Sequence, residues 1–310
     1  MPELPEVETI RRSLLENIDA SYISEIIIYH PDVLLNIENF SLKNWKIQNI
    51  RRRGKYLLFD LQKYLNVFDA PSGNNKAPNP ISMKTEGENH DLSSSNKTFL
   101  SQQMTMLIHL RMTGKLLIEE KDVLPAKHTH VRFVFENGKS LDFNDVRRFG
   151  RIKLFKPGEE FQDQGLANLG PEPLGDEFTN DYFLKACQHH SKSQIKSLLL
   201  NQKVIAGIGN IYADESLFRA KIRPDRLIGD ISQKELINLH QIIPDILEEA
   251  IGHRGTSFRD YVDGFGNKGF FQLKLAVYHK TGQPCPICKT PIQKIKVAGR
   301  SSHFCPHCQK

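Results

Sequence analysis

The sequence predicts an α+β multidomain protein: a β-sandwich led by a helix, then a helical part that ends in a metal-stapled hairpin. Three observations predict it. Short β-branched segments with approximate alternation fill roughly the first half, the apolar period lengthens to a helical one beyond the PEPLG segment, and four cysteines close the chain as two C-x2-C pairs. A chain of 310 residues has room for about two domains of roughly 150 residues each.

In chain order, Pro2 and Pro5 suit a helix start, and Glu6 and Glu8 fall in the first turn, where the positive end of the helix dipole favours them. Strands are expected at residues 22–29, 45–50, 56–61, 104–110, 115–119, 130–135 and 151–155. Residues 66–98 interrupt this series with GNNKAPNP and DLSSSNKT, too polar to pack, and are expected to form a disordered insertion between two strands. Helices are expected at 179–190, 194–201, 210–219 and 232–251. Ser232 with Glu235 three residues on makes a capping box for the last helix, which Pro244 should kink or interrupt. Strands first and helices later argue for separate domains.

Composition excludes several classes. With 39% hydrophobic and 25% charged residues, wholesale disorder and collagen-like repetition fail. No apolar run approaches the ~18 residues of a membrane span. The opening MPELPEVETIRR lacks a basic start and an apolar run, so a cytosolic location is expected. Residues 251–310 hold ten Lys or Arg against two Asp, within a chain whose net charge is +6. A basic end on a slightly acidic body suits a nucleic-acid surface, and equally a solvated lysine-rich tail.

Cys285, Cys288, Cys305 and Cys308 have the spacing of a four-thiolate zinc site. Disulfides are the rival, disfavoured in a reducing cytosol. Between the pairs, Ile295 and Val297 alternate with Lys294 and Lys296, and a turn at 298–301 places Arg300 at a hairpin tip. His303 and His307 are expected at the surface or facing DNA, because four cysteines already complete the site. Cys187 stands alone and is expected in the core.

At the other end, removal of Met1 would expose the Pro2 secondary amine, whose class has a pKa of about 8 and is substantially neutral near pH 7. A neutral amine can attack a sugar C1′ and form an iminium, and Glu3 beside it could move protons. By themselves these residues read first as the start of a helix.

The segments PELPEVETIRR, RRRGKYLLF, HLRMTGKL, KHTHVRF, DVRRFGR, LGPEPL, VIAGIGNIYADESLF, RGTSFRDYV and AGRSSHFCPHCQK occur in one order along the chain. In that order the sequence resembles the formamidopyrimidine-DNA glycosylase family, bacterial enzymes of 8-oxoguanine repair, over nearly everything except residues 66–98. PELPE resembles this branch more than the endonuclease VIII branch, which usually reads PEGPE.

The resemblance implies roles residue by residue. Pro2 would be the Schiff-base nucleophile and Glu3 the general acid. Lys55 would contact phosphate and lesion and transfer a proton in β-elimination, and Arg300 would grip DNA and serve δ-elimination. Met112, Arg147 and Phe149 match the residues that fill the gap left by a flipped nucleotide, although Met112 and Phe149 read alone would be core. His109, His128 and Arg147 match DNA contacts. Asn210, after Gly207-Ile208-Gly209, opens a helix of the helix-two-turn-helix element, where side chain and free amides would bind a phosphate. Glu215 would be a buried organiser there. Lys196 matches a lysine near the active site; where the family usually has a lysine run, this chain reads HHSK, and the contact is assigned to Lys192. Residues 257–271, SFRDYVDGFGNKGFF, match a mobile loop over the everted base, with an unusual GFGNKGFF.

The resemblance therefore implies a β-sandwich at 1–160, a helix-two-turn-helix domain at 161–255 and a lesion loop with zinc finger at 256–310. It also implies one structural zinc, damaged duplex DNA as partner, no membrane, a monomer, and a bacterial, nucleoid-associated location. Two alternatives remain: an endonuclease VIII-like glycosylase for oxidised pyrimidines, and a non-catalytic zinc-ribbon DNA-binding protein.

Overall fold

The computed structural model describes residues 1–18, 21–36, 41–65, 100–257 and 261–310. The expected insertion at 66–98 and residues 258–260 of the 257–271 loop lie outside the described residues. Helix α1 (Leu4–Leu15) opens the chain, and the Glu3 N–H donates to the Glu6 side chain at 2.8 Å. Two sheets follow. The four-stranded sheet runs β1 (Ile23–Ile28), β7 (Thr129–Phe135), β8 (Lys139–Asp145) and β6 (Gly114–Glu120). The five-stranded sheet runs β2 (Leu34–Leu35), β9 (Arg151–Phe155), β5 (Leu100–His109), β4 (Tyr56–Leu65) and β3 (Lys46–Arg53). All neighbours pair antiparallel except β2 with β9. Phe59, Met106, Ile108, Phe133, Leu141 and Phe143 from both sheets meet in one core, as sandwich packing requires.

Strand β8 was not expected. Its KSLDFND sequence carries Asp and Asn, poor strand formers, yet all but its first residue are buried. Burial is possible because Asp142 accepts two hydrogen bonds from Arg132, at 2.7 and 2.8 Å, on the neighbouring strand.

The second half contains α2 (Gln164–Ala167), α3 (Asn180–His189), α4 (Ile195–Leu200), α5 (Asn210–Arg219) and α6 (Gln233–Gly252). The Ser232–Glu235 capping box is present. Pro244, expected to kink or interrupt α6, lies inside a helix that continues to Gly252. An interior proline costs about 3 kcal/mol, whereas each large apolar side chain buried contributes about 1.5–3 kcal/mol. Leu236, Leu239, Ile243, Ile246, Leu247 and Ile251 are buried along this helix, and their sum outweighs the proline. Cys187 is free and buried in the same helical core. No helix among the described residues is long and apolar enough to cross a membrane.

Helix α1 belongs to both cores. Leu4 packs into the helical core while Val7, Ile10 and Leu14 pack into the sandwich. The Leu4 N–H donates to the Gly207 carbonyl at 3.0 Å, and a Cβ on Gly207 would come within 2.7 Å of Leu4. Residues 2 and 3 are thereby fixed where the two halves meet. The C-terminal hairpin, β10 (Gln293–Val297) and β11 (Arg300–Phe304), packs beside Phe218 of α5 through Val277, Ile292 and the cysteines.

Candidate active site and zinc ribbon

Pro2, Glu3, Lys55, Met112, Phe149, Asn210 and Arg300 all line one cleft of about 1180 Å³. Glu3 is buried, and its carboxylate accepts from the Gly209, Ile211 and Tyr212 N–H groups at 2.9, 3.0 and 3.4 Å. These are the unpaired amides at the start of α5, where the dipole favours an anion. The expectation that they bind a DNA phosphate is therefore corrected: the chain's own Glu3 occupies them. Asn210, instead of completing a phosphate site, donates from Nδ2 to the Ser301 carbonyl at 2.9 Å. A Cβ on Gly209 would lie 2.3 Å from the Glu3 carboxyl carbon, so only glycine permits this seat. Burial raises the pKa of Glu3 above the usual carboxylate range, while Lys55 and the α5 amides oppose the rise.

Lys55 sits in the turn joining β3 to β4 and is buried. Its Nζ donates to the Ile208 carbonyl at 2.9 Å. Burial lowers its pKa, with Glu3 and Glu6 acting against the shift. Glu172 fixes this turn: its carboxylate accepts from the Gly54 N–H at 2.5 Å, Arg53 at 3.0 Å and Arg52 at 2.5 Å. A lysine that looked like an ordinary strand-start cation is thus enclosed between the two halves.

Glu6 accepts from the Tyr212 hydroxyl at 2.6 Å and the Thr256 N–H at 2.8 Å. Burial, then repulsion from Glu3, pushes its pKa up to about 7. In the unfolded chain a glutamate titrates near 4.3, so stability is highest below that pH and falls as pH rises through 7. Between those limits the wild type should lose roughly 3 kcal/mol relative to Glu6→Gln, as read by denaturant unfolding across pH. A difference independent of pH would contradict the raised pKa.

Arg300 is exposed at the hairpin tip, after Ala298 and Gly299 at φ 47° and 74°. Below it lies a buried hub. Lys196 is fully buried, and its Nζ reaches Asp214 Oδ1 at 2.5 Å, the Ser302 hydroxyl at 2.8 Å and the Ser301 carbonyl at 3.0 Å. This corrects its expected DNA contact, because all three donors are used inside the protein; it clamps the strand that carries Arg300. His303, expected at the surface, is also buried, with its N–H and Nδ1 both 2.9 Å from Asp214 Oδ2. His307 is exposed. Glu215 is buried and accepts from the Ala276, Val277 and Tyr278 N–H groups, tying α5 to the segment before the ribbon.

Met112 and Phe149, core by hydrophobicity alone, are 44% and 49% exposed. The exposed Arg147 joins them: its guanidinium lies 5.4 Å from the Phe149 ring centre, and Nη1 lies 3.2 Å from Met112 Sδ. His109 is buried against Tyr56, and its Nδ1 accepts from the Arg111 N–H at 2.9 Å. Burial, then Arg111 and Lys55, lowers its pKa to about 3, so it remains neutral near pH 7 and can offer only Nε2–H. Half-buried His128 and exposed Lys192 lie outside the cleft lining.

The four cysteine Sγ atoms lie within 4.8 Å of one another. Cys288 to Cys305 spans 3.4 Å and Cys285 to Cys308 spans 3.9 Å. Zn–S bonds of about 2.3 Å in a tetrahedron separate sulfurs by roughly 3.8 Å, so the set fits one zinc ion. The sulfurs are too far apart for disulfides.

Sequence reasoning missed the carboxylates that hold this site. Glu6 was visible as a capping partner three residues after Glu3. Asp145, Glu172 and Asp214 carried no comparable local signal, since their partners lie on other elements.

An N-terminal proline beside a carboxyl group and an ammonium, under a zinc ribbon that presents an arginine, defines a DNA glycosylase that is also a lyase. Three family models match in order: the formamidopyrimidine-DNA glycosylase N-terminal domain at 1–152, its H2TH domain at 169–262, and a zinc finger found in FPG and IleRS at 282–310. The chain belongs to the formamidopyrimidine-DNA glycosylase family. It is 42% identical to the formamidopyrimidine-DNA glycosylase of Desulforamulus reducens, covering 100% of this chain and 99% of that one. Among solved structures, the wild-type Lactococcus lactis FPG bound to an oxidised-pyrimidine-containing DNA is 34% identical, with a TM-score of 0.80 over 100% of both chains. The Thermus thermophilus FPG matches at 33% identity and a TM-score of 0.78, over 99% of this chain and 98% of that one.

Proposed function

We propose that the protein excises oxidised purines, 8-oxoguanine and formamidopyrimidines, from duplex DNA and then cleaves the abasic site by β,δ-elimination. The observation that carries this reading is the convergence of Pro2, Glu3, Lys55 and Arg300, far apart in sequence, on one cleft. After removal of Met1, the neutral Pro2 nitrogen attacks C1′ of the everted nucleotide and the C1′–base bond breaks. Glu3, held partly protonated by burial, supplies the proton to the departing base or sugar ring. Lys55, with a lowered pKa, accepts the C2′ proton as the 3′ phosphate leaves. Arg300 holds the flanking phosphate and assists loss of the 5′ phosphate.

Met112, Arg147 and Phe149 fill the vacated stack, and Lys192, His109 and His128 face the DNA backbone in this reading. The working units are the sandwich at 1–160, the helix-two-turn-helix region at 161–255 and the lesion loop with zinc ribbon at 256–310. The protein acts as a monomer on bacterial nucleoid DNA. A Lactococcus lactis FPG has been solved on Fapy-dG-containing DNA, which supports the purine class.

Borohydride trapping across a lesion panel tests the proposal. The expected result is a trapped adduct on an 8-oxoguanine·cytosine duplex, with kcat/KM about tenfold or more above that for oxidised pyrimidines. The reverse ranking would assign the endonuclease VIII-like class. Absence of any adduct would leave a DNA-binding protein without catalysis.

A further inference from the structure

We propose that Asp145 is a positioning residue that joins the loops carrying Met112, Arg147 and Phe149 into one rigid wedge. The inference rests on the gap-filling reading above. Asp145 ends β8, and its backbone pairs with Gly114 at the start of β6. The loop before β6 and the loop after β8 therefore leave the sheet at the same edge. One loop presents Met112 and the other presents Arg147 and Phe149.

The Asp145 side chain is fully buried between them. Oδ1 accepts from the Thr113 hydroxyl and, at 3.2 Å, from the Arg147 N–H. Oδ2 accepts from the Gly150 N–H at 2.7 Å. One carboxylate thus serves both loops. A Cβ on Gly150 would stand 3.2 Å from Asp145 Oδ2 and 2.5 Å from the Phe143 ring, so this loop lies directly against the carboxylate. The main chain of Asp145 is pinned as well: its N–H donates to the His128 carbonyl at 3.0 Å, and its carbonyl lies 2.6 Å from His130 Nε2.

Exposed Met112 and Phe149 gain little from packing, so hydrogen bonds beneath them must set their positions. Arg111 and Arg148 adopt left-handed φ values of 54° and 56°, a conformation that non-glycine residues keep only when surrounding contacts hold it. A wedge replaces lost stacking efficiently only if its parts are already placed; otherwise ordering them subtracts from the gain. Aspartate suits this joint because both oxygens accept. In Asp145→Asn the amide NH2 must face either the Gly150 N–H or the Arg147 N–H, and donor against donor releases one loop.

Four proteins test the joint under single-turnover conditions: wild type, Asp145→Asn, Met112→Ala with Phe149→Ala, and the triple variant. Each is assayed on an 8-oxoguanine duplex and on a duplex with a preformed abasic site. Asp145→Asn should slow excision about tenfold while leaving abasic cleavage near the wild-type rate. The triple variant should be no slower than the wedge variant, since a joint without its wedge has nothing left to position. Equal slowing on both substrates, or multiplied losses in the triple variant, would overturn the proposal in favour of a general structural role. The wedge reading fails separately if Met112→Ala with Phe149→Ala does not discriminate between the substrates, and the joint then falls with it. Should Asp145→Asn not fold, Thr113→Val unties only the Met112 loop and should still slow excision selectively; unchanged excision there overturns the proposal.

Discussion

Protein made with methionine removal blocked should give no borohydride-trapped adduct while still binding a damaged duplex. With Met1 attached, the Pro2 nitrogen is an amide whose lone pair is delocalised into the carbonyl, and it cannot attack C1′. No other group in the cleft replaces it well: Lys55 is buried and committed to the Ile208 carbonyl. Trapping should fall by about three orders of magnitude or more, equivalent to roughly 4 kcal/mol of barrier. Binding should persist because the arginine tip and the wedge are untouched. Full trapping by Met1-retaining protein, with the adduct mapped to a Lys55 peptide, would move the chemistry from the proline to the lysine.

The second large effect is expected at the ribbon. Cys305→Ser should remove the single zinc and weaken damaged-duplex binding by about 100-fold or more, roughly 2.7 kcal/mol. Cys305 is buried with its sulfur 3.4 Å from that of Cys288, so its loss opens the metal site rather than trimming its edge. A two-stranded hairpin is at best marginally stable alone, and metal binding supplies much of the folding free energy in such units. Without it, Arg300 loses its fixed address even though the Lys196–Asp214 hub remains. Metal analysis and fluorescence anisotropy would measure both effects on one preparation. Tight binding by zinc-free protein would show that the hub, not the metal, orders the arginine.

The Ser232 capping box, the four-cysteine ribbon and seven of the strands were legible because each depends on residues close together in sequence. Strand β8 was not, because its Asp142 is tolerable only opposite Arg132 on β7. Pro244 misled in the other direction, since its local cost was visible while the apolar burial that outweighs it was not. Met112 and Phe149 alone read as core; only the ordered motifs around them pointed to the surface.

Sequence by itself determined the residue chemistry: an amine that can be neutral near pH 7, a neighbouring carboxyl, a metal-binding thiolate set, and the family to which the chain belongs. Tertiary structure decided what each charged group faces. It placed Glu3, rather than a phosphate, on the α5 amides, and it turned Lys196 from an expected DNA contact into a buried clamp beneath Arg300. The physical reason is that a side chain's identity is local, whereas its desolvation and hydrogen-bond partners depend on elements brought together from distant parts of the chain.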